Sequence, residues 1–392
     1  MTLDRWALSA DIVHLNHGSY GGVPRSVLAA ATGWRARLEA APMKFYVLEW
    51  QPELDRARAV LAQFVRAPDS QLVFAPNATT AVATVLASLR DRLATGDELL
   101  TTSHAYRAVK NQLDRVAAAT GARVVVAPIA LPYEPDQTAA AILGAATPRT
   151  KLAVLDHITS PTALRLPIEQ LAPALAARGI AVLIDGAHAP GQIELDVGAL
   201  LASGVSWYAG NNHKWLCAPK ASGFLVAAAP VAPIVTSHGA SPGYGPANRL
   251  HAELDWAGTH DPCVHLTVPT ALASVVELGG SWSNVMARNH ATALELRDRL
   301  IDGLGGTPHR YRLAADASTG AMAAIEIAVP TGVTPFALQR ALLEDGWEVA
   351  IVDFAAGPLV RISSHLYNDA TQGDLLAREL HRRGVRLRAA VR

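Results

Sequence analysis

The segment Asn211 to Pro219, NNHKWLCAP, sets a lysine between a histidine and a tryptophan directly after the apolar run VSWYAG at 205–210. Such flanks predict burial, and a buried amine has its pKa lowered toward the neutral, nucleophilic form. Lys214 is therefore a candidate to join a carbonyl as a Schiff base, the alternative being a solvated loop lysine. Asp185 closes the run IAVLID at 180–185 and is followed by Gly186, Ala187 and His188. A carboxylate at the C-terminal end of a parallel strand faces the crevice where such sheets bind ligands. In LVFAPNATTAVATVL, Asn77, Ala78, Thr79 and Thr80 stand at a strand-to-helix junction, where free amides and hydroxyls suit a phosphate. Singly, Asp185 could be a capping residue and Thr79 a plain N-cap. Together, an amine for an aldehyde, a carboxylate for a ring nitrogen and a helix N-terminus for a phosphate describe pyridoxal 5′-phosphate. Arg361, inside the apolar strand LVRISS, is an expensive guanidinium unless an anion or a structural ion pair compensates it.

These residues need a scaffold, and the chain alternates short apolar runs with helical patterns: LVFA at 72–75, ELLTT at 98–102, RVVVA at 123–127, KLAVLD at 151–156, IAVLID, VSWYAG and GFLVAA at 223–228. Runs apolar on both faces and separated mostly by helix-length segments predict a parallel sheet buried between helices. Pro24 to Ala40 and Glu53 to Val65 read as amphipathic helices, with Pro24 at a first helical position. Pro and Gly crowd 237–245, SHGASPGYG, into a loop, and a helical region from Pro269 to Leu304 breaks around Gly279 and Gly280. The last hundred residues predict a strand at 324–329, a helix at 335–344, strands EVAIVDF and LVRISS, and a helix from Asp369 to Arg383. The expected division is an arm at 1–22, a large α/β domain at 23–265 and a small α+β domain at 266–392.

Composition narrows the partners. The 392 residues are about twice a typical domain. Hydrophobic residues make up 50% and charged residues 17%, which excludes disorder for most of the chain. The 34 basic and 34 acidic residues cancel, leaving no net field to attract nucleic acid or an anionic membrane, so a small-molecule partner is favoured. Two cysteines, Cys217 and Cys263, are too few for a disulfide framework and predict a reducing cytoplasm. No basic segment followed by an apolar run opens the chain, and no apolar stretch reaches the roughly 18 residues of a spanning helix, so neither export nor a membrane is expected.

The order phosphate turn, Asp-x-Ala-His, His-Lys resembles the fold-type I pyridoxal-phosphate enzymes, specifically the class V aminotransferase superfamily. LNHGSYG at 15–21, DHITSPTALRLPI at 156–168 and VRISSHLYN at 360–368 resemble its isopenicillin N epimerase-like branch, which includes relatives that cleave carbon–sulfur bonds of cysteine derivatives. The resemblance implies a mostly parallel seven-stranded sheet between helices with a smaller C-terminal α+β domain. By it, Lys214 forms the Schiff base, Asp185 pairs with the pyridine nitrogen and His188 lies near the phenolic oxygen. His213 and the Asn77 to Thr80 turn hold the phosphate. His104 or the competing Tyr106 stacks on the ring, and His157 sits beside the ring oxygen. Arg361 clamps the substrate carboxylate, with Asn16, His17 and Tyr20 nearby. Gly258 and Thr259 in WAGTHDP reach a neighbouring subunit's phosphate, which implies a homodimer.

With such a site the common step is removal of the α-proton of an amino acid, Lys214 being the natural base. Epimerisation, transamination and loss of a β-substituent all start there, and the residues identify the shared step without choosing the exit. A persulfide-forming desulfurase is disfavoured, because the resemblance places the family's thiol in the C-terminal third, before the Arg-bearing strand, and neither cysteine falls there. A nicotinamide dehydrogenase is weak, since no G-x-G-x-x-G follows an early strand. A catalytically silent binding protein on the same fold is the remaining rival, as fold alone implies no activity.

Overall fold

The computed structural model describes residues 3–237, 239 and 249–388. Most of the expected 237–245 loop lies outside the described residues. Seven strands form one sheet in the order 72–75, 223–227, 207–211, 181–186, 150–156, 98–102, 123–127. Gly223–Ala227 runs antiparallel to both its neighbours and the other pairings are parallel. The inner strands are buried along nearly their whole length, as a sheet covered on both faces requires, whereas Arg123–Ala127 at the edge is half exposed. Helices Ala78–Leu89, Arg107–Thr120, Pro135–Ala145, Ile168–Ala176 and Val197–Ala202 connect successive strands. The strands 150–156, 181–186 and 207–211 therefore end side by side, which collects Asp156, Asp185 and the lysine turn on one edge of the sheet.

A four-stranded antiparallel sheet holds Ala350–Val352, Leu359–Ser363, Met322–Ala328 and Arg386–Leu387 in that order. EVAIVDF, expected as one strand, divides at Val349 because its two ends have different partners. Trp347–Glu348 pairs with Val13–His14 of the arm, and Ala350–Val352 pairs with Leu359–Arg361. The arm continues along this sheet, with Asn16 bridging to Ser363, which lays LNHGSYG between the two sheets. The helices Arg25–Ala40 and Trp50–Val65 pack on Val268–Gly279. The second begins three residues earlier than the sequence suggests. It follows the π turn Phe45–Glu49 without a break, so Pro52 falls where the regular i to i−4 ladder is already interrupted. The terminal helix is shorter than expected, Gln372–Arg382, because Asp369 turns the chain by accepting from the Thr371 amide at 2.9 Å. Among the described residues no single helix is long and apolar enough to cross a membrane.

Candidate active site

Lys214 stands in the turn that follows Trp207–Asn211, and the turn is held by its own backbone. The amides of Asn212 and His213 both donate to the Ser222 carbonyl, at 2.9 and 3.0 Å, and the Cys217 amide donates to that of Lys214 at 3.0 Å. Gly21 of the arm lies on top at φ 75°, where a Cβ would collide with the His213 carbonyl oxygen, so only glycine fits. Lys220 Nζ donates to the Gly21 carbonyl at 2.7 Å and ties the two segments together.

The Lys214 amine projects into a cleft of about 380 Å³ and lies 3.1 Å from His188 Nε2. Burial first, and the Arg361 charge second, bring its pKa down to about 7 against the pull of Asp185 and Asp156. Much of it is thus free amine near neutral pH. Burial also holds His188 neutral, well below the usual histidine range, with Lys214 adding to the effect. Asp185 Oδ1 accepts from the Ala187 amide at 3.0 Å. Burial raises its pKa, while that hydrogen bond and Lys214 lower it.

At the other end of the cleft Asn77 caps the helix Ala78–Leu89, its Oδ1 accepting from the Thr80 amide at 2.8 Å. The Ala78 amide goes to Asn211 Oδ1 at 2.8 Å, so the Thr79 amide of this first turn keeps no internal partner among the described residues. Gly223 lets the turn approach the sheet, since a Cβ there would meet Asn77 Cα at 2.8 Å. Thr79, Thr80 and His213 line this end. His213 Nδ1 donates to the Ser222 carbonyl at 2.8 Å, which leaves Nε2 for a ligand. Burial lowers its pKa to about 4.

Arg361 is 4% exposed, and among the described residues no carboxylate pairs with it. Its Nη1 donates to the Ser160 carbonyl at 2.5 Å and to Ser160 Oγ at 3.1 Å. Its Nη2 donates to Ser19 Oγ at 2.8 Å and to Asn16 Oδ1 at 3.2 Å. Nε has no partner among the described residues. Four neutral acceptors do not cancel a buried charge, and burial brings the guanidinium down to about 10.

The structure brings Tyr20, Asn77, Thr79, Thr80, Tyr106, Asp185, His188, His213 and Lys214 to one cleft, with Ala78 at its helix start. It corrects three other placements. His104 does not line the cleft: Nδ1 is 2.9 Å from Thr162 Oγ1, and its ring meets Phe354 edge-on in a second cavity, so of the two candidates Tyr106 is the one at the cleft. His157 turns to the other side of the sheet, with Nδ1 3.0 Å from the Tyr208 hydroxyl. Strand side chains alternate faces, so the residue before it, Asp156, enters the cleft instead. His17 lies behind the lysine turn, bonding the Lys214 carbonyl through Nε2 at 3.1 Å and Tyr367 through Nδ1 at 2.9 Å. With Cys217 and His365 it forms a buried group of metal-ligand types. The two imidazoles stack face to face at 4.3 Å, however, and stacked rings do not aim their lone pairs at a common ion. Gly258 and Thr259 border a separate cavity beside Phe74 and Pro76. The cleft also holds Asp156, Ser19, Ser160 and Asn211, which the sequence reading did not single out.

The aminotransferase class-V family model matches residues 23–234, which is more than half of the chain. The chain belongs to that family. A curated relative, isopenicillin N epimerase of Amycolatopsis lactamdurans, is 34% identical over 95% of this chain and 96% of its own length. A putative L-cysteine desulfhydrase of Oryza sativa subsp. japonica is 34% identical over 76% of this chain and 65% of its own length. In fold, the chain is similar to a mutant of C-DES with glycine covalently linked to its PLP cofactor, at a TM-score of 0.80, 20% identity, and 97% and 99% coverage of the two chains.

The cleft of this class V chain fits pyridoxal phosphate on its own chemistry. It offers an amine of lowered pKa, a buried carboxylate short of positive charge, and an unused amide at a helix start. His188 Nδ1 is also buried without a partner among the described residues.

Proposed function

We propose that this protein is a pyridoxal-phosphate enzyme acting at the α-carbon of an amino acid, as an epimerase or as a C–S lyase of a cysteine derivative. The observation that carries the reading is the convergence of Lys214, Asp185 and the Asn77 to Thr80 turn on one cleft that borders an uncompensated Arg361. Lys214 would hold the cofactor's aldehyde carbon, Asp185 its ring nitrogen, and the Thr79 amide with Thr80 and His213 its phosphate. When bound, the cofactor supplies an electron sink that acidifies the α-carbon of an amino acid joined to it. Lys214, whose pKa of about 7 leaves a large share of it free amine at neutral pH, is suited to take that proton and to return it. A protonated ring nitrogen against Asp185 would give that carboxylate the positive charge its burial demands. Arg361, on the small sheet, bonds Ser160 and Ser19 of the cleft lining, beside which a substrate carboxylate could complete its fork.

Both cysteines are buried, and burial raises the pKa of each thiol, that of Cys263 to about 12. Neither is placed to receive sulfur as a thiolate on a mobile loop, which favours elimination or epimerisation over persulfide transfer. A homodimer and a reducing cytoplasm complete the reading. Free cysteines support the compartment. Exposed Met43, Val47 and Leu48 support a second copy, with Gly258 and Thr259 reaching that copy's phosphate site.

The test is incubation of the protein loaded with pyridoxal phosphate with cysteine, cystine and peptide-bearing amino acids in deuterated water. Ammonia and a keto acid released together assign a lyase, and α-deuterium with inversion assigns an epimerase. A keto acid formed without free ammonia would assign an aminotransferase instead. A coloured protein that exchanges the α-proton of none of them would sink the reading and favour a silent binding protein.

A further inference from the structure

Asp156 and Asp185 close adjacent parallel strands in direct register, and both side chains line the same cleft. Exposure is only 4% and 5%, so two carboxylates share one water-poor wall. The charged groups around them come from four directions. Lys214 and His213 stand on the lysine turn, His188 follows Asp185, Lys110 lies on the helix after Tyr106, and Arg361 approaches from the small sheet. Lys110 is committed to the Ser103 carbonyl at 2.9 Å, and Arg361 to Ser160, Ser19 and Asn16. The histidines are held neutral by burial. Among the described residues one amine, Lys214, is left to balance two acids, and with much of it free base near neutral pH this is too little for both to ionise.

The environments decide which acid keeps the proton. Asp185 has the Ala187 amide on Oδ1 and Lys214 as a favourable charge. Asp156 is pushed well above the carboxylate range by burial and then by Asp185 itself, with the Tyr106 amide and Lys110 as the smaller opposing influences. Two acids whose surroundings push them apart take separate roles, one charged and one a hydrogen-bond donor.

We propose that Asp156 is a neutral carboxylic acid that keeps its proton and donates a hydrogen bond through it to the oxygen-bearing side of the cofactor ring, while Asp185 carries the pair's negative charge against the ring nitrogen. The proposal rests on the cofactor reading above. Neighbouring strands lie roughly 4.8 Å apart, and in a 3-hydroxypyridine the oxygen is two ring atoms from the nitrogen, so adjacent strand ends are spaced to meet both. The uncharged donor leaves the ring's positive charge to Asp185 alone.

The test compares Asp156→Asn, Asp156→Ala and Asp185→Asn as holoenzymes, reading cofactor dissociation and the pH titration of the visible band. An amide keeps the shape and donor of a neutral acid, so Asp156→Asn should hold cofactor affinity within a few-fold and leave the titration in place. Asp156→Ala should weaken affinity by about 10- to 100-fold, the scale of one lost buried donor. Asp185→Asn should displace the titration. Difference infrared spectra of the native holoenzyme should show a carboxylic-acid carbonyl band that disappears in Asp156→Asn, a readout that survives if the alanine variant misfolds. Asparagine at 156 as damaging as at 185, or a native spectrum without the acid band, would overturn the proposal. A native protein that binds no pyridoxal phosphate overturns the cofactor reading itself, and this proposal with it.

Discussion

Replacing Arg361 by Lys keeps a positive charge but removes the planar fork, and the geometry of the site sets what that should cost. The guanidinium makes four hydrogen bonds, all to neutral acceptors on Ser160, Ser19 and Asn16, and keeps a buried Nε without a partner among the described residues. A single ammonium cannot span those acceptors and present two parallel N–H groups to a carboxylate. A desolvated charge pair that loses one partner's geometry costs about 2 to 5 kcal/mol. At about 1.4 kcal/mol per factor of ten, this is roughly a 30- to 5,000-fold fall in kcat/KM. The assay pairs an amino-acid substrate with its decarboxylated amine on native and variant enzyme, with thermal melting to check the fold. The amine should be a poor substrate of the native enzyme and should lose little further on mutation. Equal losses for the two compounds, accompanied by a lowered melting temperature, would show that Arg361 only ties the arm to the small sheet, and the carboxylate site would have to be sought elsewhere.

Lys214→Ala should abolish turnover and remove the borohydride-reducible chromophore fixed to the protein while the fold persists, since among the described residues the amine's one hydrogen-bond partner is His188. A chromophore still covalently held after reduction would refute the assignment. Lys214→Met in the cofactor-free form tests the lowered amine pKa by linkage. The folded value of about 7 lies below the unfolded value of 10.5, so the unfolded chain binds the extra proton between them. The native lysine therefore costs stability in full below about pH 7, and the cost fades as pH rises toward 10.5. Methionine should raise the melting temperature most at or below neutral pH, and the advantage should shrink by pH 10. A gap that does not change with pH would mean that the amine is solvated.

Burial of apolar runs made the sheet legible in the sequence. The six strands from ELLTT to GFLVAA are bounded to within two residues, and in all but the half-exposed edge strand RVVVA this follows because a strand covered on both faces has little polar character to blur its ends. The small sheet was harder, since EVAIVDF is one apolar pattern shared by two partners and pairing is not written in a single strand. Lys214, Asp185 and the phosphate turn were readable because each is a polar group at a junction between apolar runs. Asp156 obeys the same rule at the end of KLAVLD, but the adjacent His157 is an equally polar residue at the same junction. A strand's period of two settles the matter only once the facing of one residue is known. Ala153 to Asp156 pair in order with Val182 to Asp185, so the residue level with Asp185 is Asp156, and His157 must face the other way. The same reasoning explains His17: its chemistry suggested a substrate contact, but Gly21 must press against the lysine turn, and a histidine four residues earlier is carried beneath it. The residues that hold the lysine in place are thus as much a part of LNHGSYG as the Tyr20 that reaches the cleft.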